Sequence, residues 1–153
     1  MNLEFGTADK ISAFSRLPWH DSKLCGWSVV YASDGEANVT FDIDFGNSEI
    51  VTGRAQVTFH GCRGYLAGVD LLAKRLCNDQ VAAGYCEDAE ESDAEFVKQL
   101  NDRFDLYRGE SMQGLVVFGI KLIHPGGELV VVARSFSLSR AGTGQVPAGD
   151  RDG

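Results

Sequence analysis

The run Val39-Thr40-Phe41-Asp42-Ile43-Asp44-Phe45 constrains this chain more than any other. Apolar and polar residues alternate with period two. An extended backbone therefore puts Val39, Phe41, Ile43 and Phe45 on one face and Thr40, Asp42 and Asp44 on the other. The run predicts a strand with one face buried and both aspartates in solvent. A second run, Arg54 to His60, alternates Ala55, Val57 and Phe59 with Arg54, Gln56, Thr58 and His60. If the two strands pair, Arg54 can face Asp42 or Asp44 across the ladder. Val116, Phe118, Ile120 and Leu122 alternate as well, but Leu115, Val117 and Ile123 make the other face apolar too, which predicts a central strand covered on both sides. Pro125-Gly126-Gly127 predicts a hairpin, with Glu128 to Leu138 returning along it as one strand, while Ala133 to Arg140 carries a polar outer face.

Helical signals are fewer. Ile11, Phe14 and Leu17 sit at helical spacing near the start, predicting a short helix or a strapped arm that Pro18 ends. Lys23 to Tyr31 is rich in β-branched and aromatic residues and is followed by the turn signal Asp34-Gly35. Tyr65 to Leu71 alternates like a strand, then Leu72 to Leu76 reads as a short helix, and Gln80 to Cys86 adds a brief strand. Ser92-Asp93-Ala94-Glu95 is a capping box ahead of Phe96, Val97, Leu100 and Phe104, predicting a helix from about Asp93 to Phe104. The expected fold is α+β, a mainly antiparallel β sheet, curled or sandwich-like, with one or two helices. With 153 residues, 44% of them hydrophobic, the chain can bury a core without staples. Residues 1–140 form a single domain in this reading. Residues 141–153, a Gly-rich polar stretch, form a flexible tail.

Charge narrows the partners. The net charge is −8 and the pI is near 4.8, so the surface repels phosphate backbones and nucleic acid is excluded as a partner. No apolar run approaches the roughly 20 residues that span a bilayer, and the first residues lack a signal-peptide pattern. Cys25, Cys62, Cys77 and Cys86 then read as reduced thiols, and the expected location is cytoplasmic. No C-x-x-C pair occurs, and no phosphate-binding loop, nucleophile elbow or zinc-protease motif is present in the sequence.

The most suggestive chemistry is in "LPWHDSKLCGW", Leu17 to Trp27, where His20-Asp21 follows a proline and precedes a strand. A metal or acid/base role would need further ligands. In a simple meander His20 opens one strand and His60 ends another running the same way, so these histidines and His124 do not converge on a metal. The favoured reading is structural: Trp19 anchors a buried corner, His20 donates to a backbone carbonyl, and Asp21 accepts backbone N–H bonds in an Asx-type turn. Cys62, beside Arg63 and two residues from His60 on an extended chain, is the nearest thing to an activated thiol, with Arg63 lowering its pKa. No third residue orients His60, so no catalytic, cofactor or metal residue is assigned.

The segment Glu87 to Glu95 holds six acids in nine residues. It is either a solvated loop with favourable charge at a helix N-terminus or a negative docking patch for a basic protein, formed by Glu87, Asp88, Glu90, Glu91, Asp93 and Glu95.

"LPWHDSKL", "VTFDIDF", "VTFHGCRG" and "LVVFGIKLIHPGGELVVVARSFSL", taken in order, resemble small bacterial domains that open with a His-Asp motif at the first strand. Some of these are grouped with the immunity proteins of polymorphic toxin systems. The resemblance, over Leu17 to Leu138, implies an immunity-type inhibitor; together with the acidic segment it makes the expected function a non-enzymatic protein-binding module that meets a basic partner. The alternatives are a homodimeric structural domain and a small metal- or Cys-dependent hydrolase.

Overall fold

The computed structural model describes residues 2–4, 10–33, 36–48, 51–69, 80–107, 114–123 and 127–140. The expected turn at Asp34-Gly35, the helix from Leu72 to Leu76, Pro125-Gly126 of the hairpin, His124 and the tail from Ala141 lie outside them.

The elements in chain order are β1 (Asn2–Glu4), α1 (Lys10–Arg16), β2 (Lys23–Tyr31), β3 (Ala37–Asn47), β4 (Thr52–Cys62), β5 (Gly64–Val69), β6 (Val81–Asp88), a 3-10 turn (Ala89–Glu91), α2 (Glu95–Tyr107), β7 (Val116–Leu122), β8 (Gly127–Ala133) and β9 (Ser135–Arg140). The strands form a five-stranded sheet ordered β1-β9-β4-β3-β2 and a four-stranded sheet ordered β5-β8-β7-β6. All pairings are antiparallel. This is the expected α+β architecture with a mainly antiparallel sheet.

The return strand expected from Glu128 to Leu138 is broken in two at Arg134, and the reason is a change of parity. Leu129, Val131 and Ala133 point into the main core, but beyond the bend Phe136 and Leu138 do. An odd-numbered inward face cannot become an even-numbered one along a straight strand, so the chain turns a corner. The partner strand turns with it at Arg63. Arg63 N–H donates to Val132 O at 2.8 Å, and Arg134 N–H donates to His60 O at 3.0 Å, which carries the ladder around the bend. β4 and β9 in one sheet thus continue into β5 and β8 in the other. At a second corner Lys23 bridges Gln80, and Val81 N–H donates to Ser22 O at 2.7 Å.

The core between the sheets is centred on Phe14 of α1, whose ring is fully buried. It lies 4.8 Å from Trp19, 5.0 Å from Phe118, 5.3 Å from Phe136 and 6.0 Å from Phe59, centroid to centroid. The short N-terminal helix is therefore a plug joining rings from both sheets. Lys10, at its start, is 5% exposed and donates from Nζ to Arg134 O and, at 3.4 Å, to Gly114 O. Burial holds the pKa of this ammonium below the ordinary lysine value. The opposite face of the four-stranded sheet packs under α2, where Val97 and Leu100 meet Leu115, Val117, Val130 and Val132. β7 is covered on both sides, as its two apolar faces predict.

α2 starts later than the capping box implies. Ser92 Oγ accepts from Ala94 N–H at 3.2 Å, and Ala94 O takes the first helical bonds from Val97 and Lys98. The same hydroxyl donates to the Glu87 carboxylate at 2.9 Å, so Ser92 ties β6 to the start of α2.

Candidate functional site

The corner at Leu17 to Trp27 is real, but its parts are distributed differently from the Asx-type turn expected of them. Trp19 is 3% exposed, and its Nε1–H donates to Phe14 O at 2.8 Å. The ring lies against Gly84 of β6, where an added Cβ would stand 2.3 Å from Trp19 Cδ1. Ser22 holds the turn: fully buried, it gives both its hydroxyl (2.7 Å) and its N–H (3.0 Å) to Trp19 O. His20 Nδ1 lies 3.3 Å from Ala82 O, the expected backbone partner. Asp21 departs from expectation. Its φ is +70°, the left-handed region that Asp and Asn tolerate better than other side-chain-bearing residues. Its carboxylate is 68% exposed and, among the described residues, accepts from Gln80 Nε2 at 2.6 Å rather than from backbone N–H groups. Its N–H donates to Val81 O at 3.2 Å. Asp21 serves the corner through its backbone conformation; Ser22 supplies the bonds. His20 Nε2 stands 3.6 Å from Asp21 Oδ1, with both side chains largely in solvent.

Strand register sets the histidines apart. Lys23 pairs with Asp44 and Asp44 with Arg54 at one end of the five-stranded sheet; Tyr31 pairs with Ala37 and Ala37 with Cys62 at the other. His20 lies beyond the first end and His60 near the second. Among the described residues no group of three or more metal-binding side chains gathers.

His60 and Cys62 do not share a face. Between Val39↔Phe59 and Ala37↔Cys62 the register slips by one residue, and Gly61 in that slip has a φ of +63°. The glycine makes a β-bulge that reverses the alternation. His60 therefore points outward, 2.8 Å from Ser137 Oγ, while Cys62 turns into the core and its Sγ–H donates to Phe59 O at 3.2 Å. Burial pushes the Cys62 thiol up to about 11, opposite to the lowering expected from Arg63. Cys86 is likewise pushed up by burial, to about 12.

The acidic segment is only partly loop. Glu87 and Asp88 end β6. Glu87 accepts the Ser92 hydroxyl, and Asp88 Oδ1 caps the 3-10 turn by accepting from Glu90 N–H at 2.9 Å. Ala89, 3% exposed, seats the turn in the core under α2. Glu90, Glu91, Asp93 and Glu95 are not buried with it: Glu90, Asp93 and Glu95 stand in solvent. Glu91 continues the same turn beside them. Among the described residues none of these carboxylates has a salt-bridge partner.

Sequence reasoning missed the edges. Beyond its first residue, where Lys23 bridges Gln80, β2 pairs with β3 alone, and Val29, Val30 and Tyr31 at its C-terminal end are 36%, 57% and 74% exposed. Tyr65 and Leu66 on edge strand β5 are 40% and 45% exposed. No signal in the stretch itself marks it as an exposed edge: Leu24 to Ser33 carries no charged residue and reads as a buried strand.

No family model, no curated protein and no solved structure matches this chain. No helix among the described residues is long and apolar enough to cross a membrane.

Proposed function

We propose that this domain is a non-enzymatic protein-binding module that meets a basic partner through its acidic segment, the role that a likeness to immunity-type inhibitors implies. The observation that carries the reading is the display of Glu90, Glu91, Asp93 and Glu95. These carboxylates sit on a short connection held in place by Asp88, Ser92 and the buried Ala89. Charge held in place loses little entropy on binding, and it steers a cationic partner over a Debye length of about 8–10 Å. Glu87 and Asp88 contribute to the field while their side chains hold the connection's shape.

The test is capture of a partner from the native cell by wild-type protein and by a variant with Glu90→Gln, Glu91→Gln, Asp93→Asn and Glu95→Gln. The reading expects one basic protein, bound at low salt, released at high salt, and lost in a variant whose circular dichroism is unchanged. An acidic captured protein would overturn it, and so would a neutralised variant that binds the same protein with the same salt dependence.

A further inference from the structure

We propose that Lys10 is the positioning residue of the acidic segment: its buried ammonium closes the end of the four-stranded sheet from which that segment springs. This role rests on the reading of the segment as a docking patch. Three strand ends lie level there. Asp88 pairs with Val116 and Val116 with Ala133, the terminal pair of each ladder. Beyond that row β8 turns away at Arg134 into the other sheet. The Lys10 ammonium donates to Gly114 O, two residues before Val116, and to Arg134 O, one residue after Ala133. It thus spans the ends of β7 and β8 where their ladder has stopped.

The acidic segment hangs from the same point. Leu115, between Gly114 and Val116, accepts from Ala89 N–H at 3.0 Å. Ala89 is the buried residue that opens the 3-10 turn carrying Glu90 and Glu91. Gly114 has a φ of +80°, so the chain enters β7 through a bend rather than as a prolonged strand. The grip on Gly114 O fixes that bend, and with it Leu115 O, the acceptor of the segment's first N–H after β6.

The cost of the charge shows what it is there for. Lys10 is 5% exposed, and among the described residues no carboxylate forms an ion pair with it. Burial disfavours the charged form, Cys86 and Asp88 of β6 favour it, and Arg134 opposes it. An apolar side chain would fill the same space without that cost, but it would leave both carbonyls without this donor. The ammonium therefore acts through its hydrogen bonds, at the root of the carboxylate display.

The experiment is native-state hydrogen exchange of the full chain as wild type, Lys10→Met and Lys10→Arg, followed by titration of each with a decalysine peptide at low salt. Methionine keeps a buried stem and removes the donors; arginine keeps both charge and donors. The Ala89 amide should be protected in wild type. Lys10→Met should speed its exchange at least about tenfold and leave β3, in the other sheet, unchanged, while Lys10→Arg should hold it within about threefold of wild type. Lys10→Met also makes the chain one charge more negative, so charge alone would tighten decalysine binding. Loosened carboxylates must first be ordered, so the proposal expects binding at least about threefold weaker. An unprotected Ala89 in wild type would overturn it, as would exchange in Lys10→Met that is unchanged, or that rises in β3 as much as at Ala89. Lys10→Arg no better than Lys10→Met, or decalysine affinity unchanged or raised in Lys10→Met, would overturn it equally. Exchange needs no partner, so the clamp can fail while the docking reading stands, and the neutralised variant can sink that reading with the clamp intact.

Discussion

Replacing Asp21 separates two ways a residue can hold a corner. Its backbone sits at φ +70°, and its exposed carboxylate accepts a hydrogen bond from Gln80. A left-handed conformation costs a residue with a Cβ about 1–2 kcal/mol, with Asp and Asn at the low end. An exposed side-chain hydrogen bond contributes about 0.5 kcal/mol. Asp21→Ala loses the bond and the tolerance together and should destabilise by about 1–2 kcal/mol. Asp21→Gly loses the bond and loosens the unfolded chain by about 0.4–1 kcal/mol, but it relieves the strained φ, so it should lie within about 0.5 kcal/mol of wild type. Asp21→Asn should do the same by keeping the tolerance. Urea unfolding of the three variants measures this directly, with m unchanged, and in melting temperature each kcal/mol is about 2–4 °C for a chain of this size. If Asp21→Gly proves as damaging as Asp21→Ala, the carboxylate carries the corner and the conformational argument is wrong.

Gly84→Ala should destabilise by about 3 kcal/mol, because the new methyl meets a Trp19 ring already fixed by its bond to Phe14 O; Gly68→Ala, whose nearest atom would be 3.8 Å away, is the control and should cost well under half as much in the same urea experiment. The thiols of Cys62 and Cys86 stay protonated in the fold to about 11 and about 12, against 9.0 when unfolded. Their contribution is therefore complete below pH 9 and is lost as pH rises through those folded values; the fall in urea midpoint over that window should be shallower in Cys62→Ala/Cys86→Ala. A thiol reagent near neutral pH should label Cys25 in the native protein and reach Cys62 and Cys86 only on unfolding. A double-mutant cycle on Arg54 and Asp42, both partly in solvent, should return a coupling of about 0.5 kcal/mol or less.

The sheet was legible where alternation has one solution. Phe41, Ile43, Val57 and Phe59 read inward and are inward, and Arg54 finds an aspartate across the ladder. The ion pair goes to Asp42, although Asp44 is the residue directly opposite. Diagonal neighbours in a twisted sheet lie within reach of a long arginine, so pairing alone cannot choose between them. The corner at Arg134 was also written in the chain, as the parity change from Ala133 to Phe136, but a hydrophobic run long enough for one strand hides it. Asp21 was ambiguous for a physical reason, since its side chain suits an Asx turn and its backbone suits positive φ, and the letter is the same. The exposed end of β2 could not be read from its own residues. Val29-Val30-Tyr31 is the composition of a buried strand, and its exposure depends on where the opposite sheet stops.

The acidic segment and the exposed end of β2 are separate surfaces, and one variant tells them apart. If a basic partner meets the acidic segment, Val30→Lys should leave the salt dependence of its binding unchanged, because the substitution alters neither the number nor the spacing of the carboxylates. Calorimetric titration of wild type and Val30→Lys with the captured partner, at two salt concentrations, reads that dependence. Loss of all partner binding in a folded Val30→Lys chain would put the edge of β2 inside the partner interface. The acidic segment would then be a solvated cap on α2, and the apolar strand end would be the recognition element.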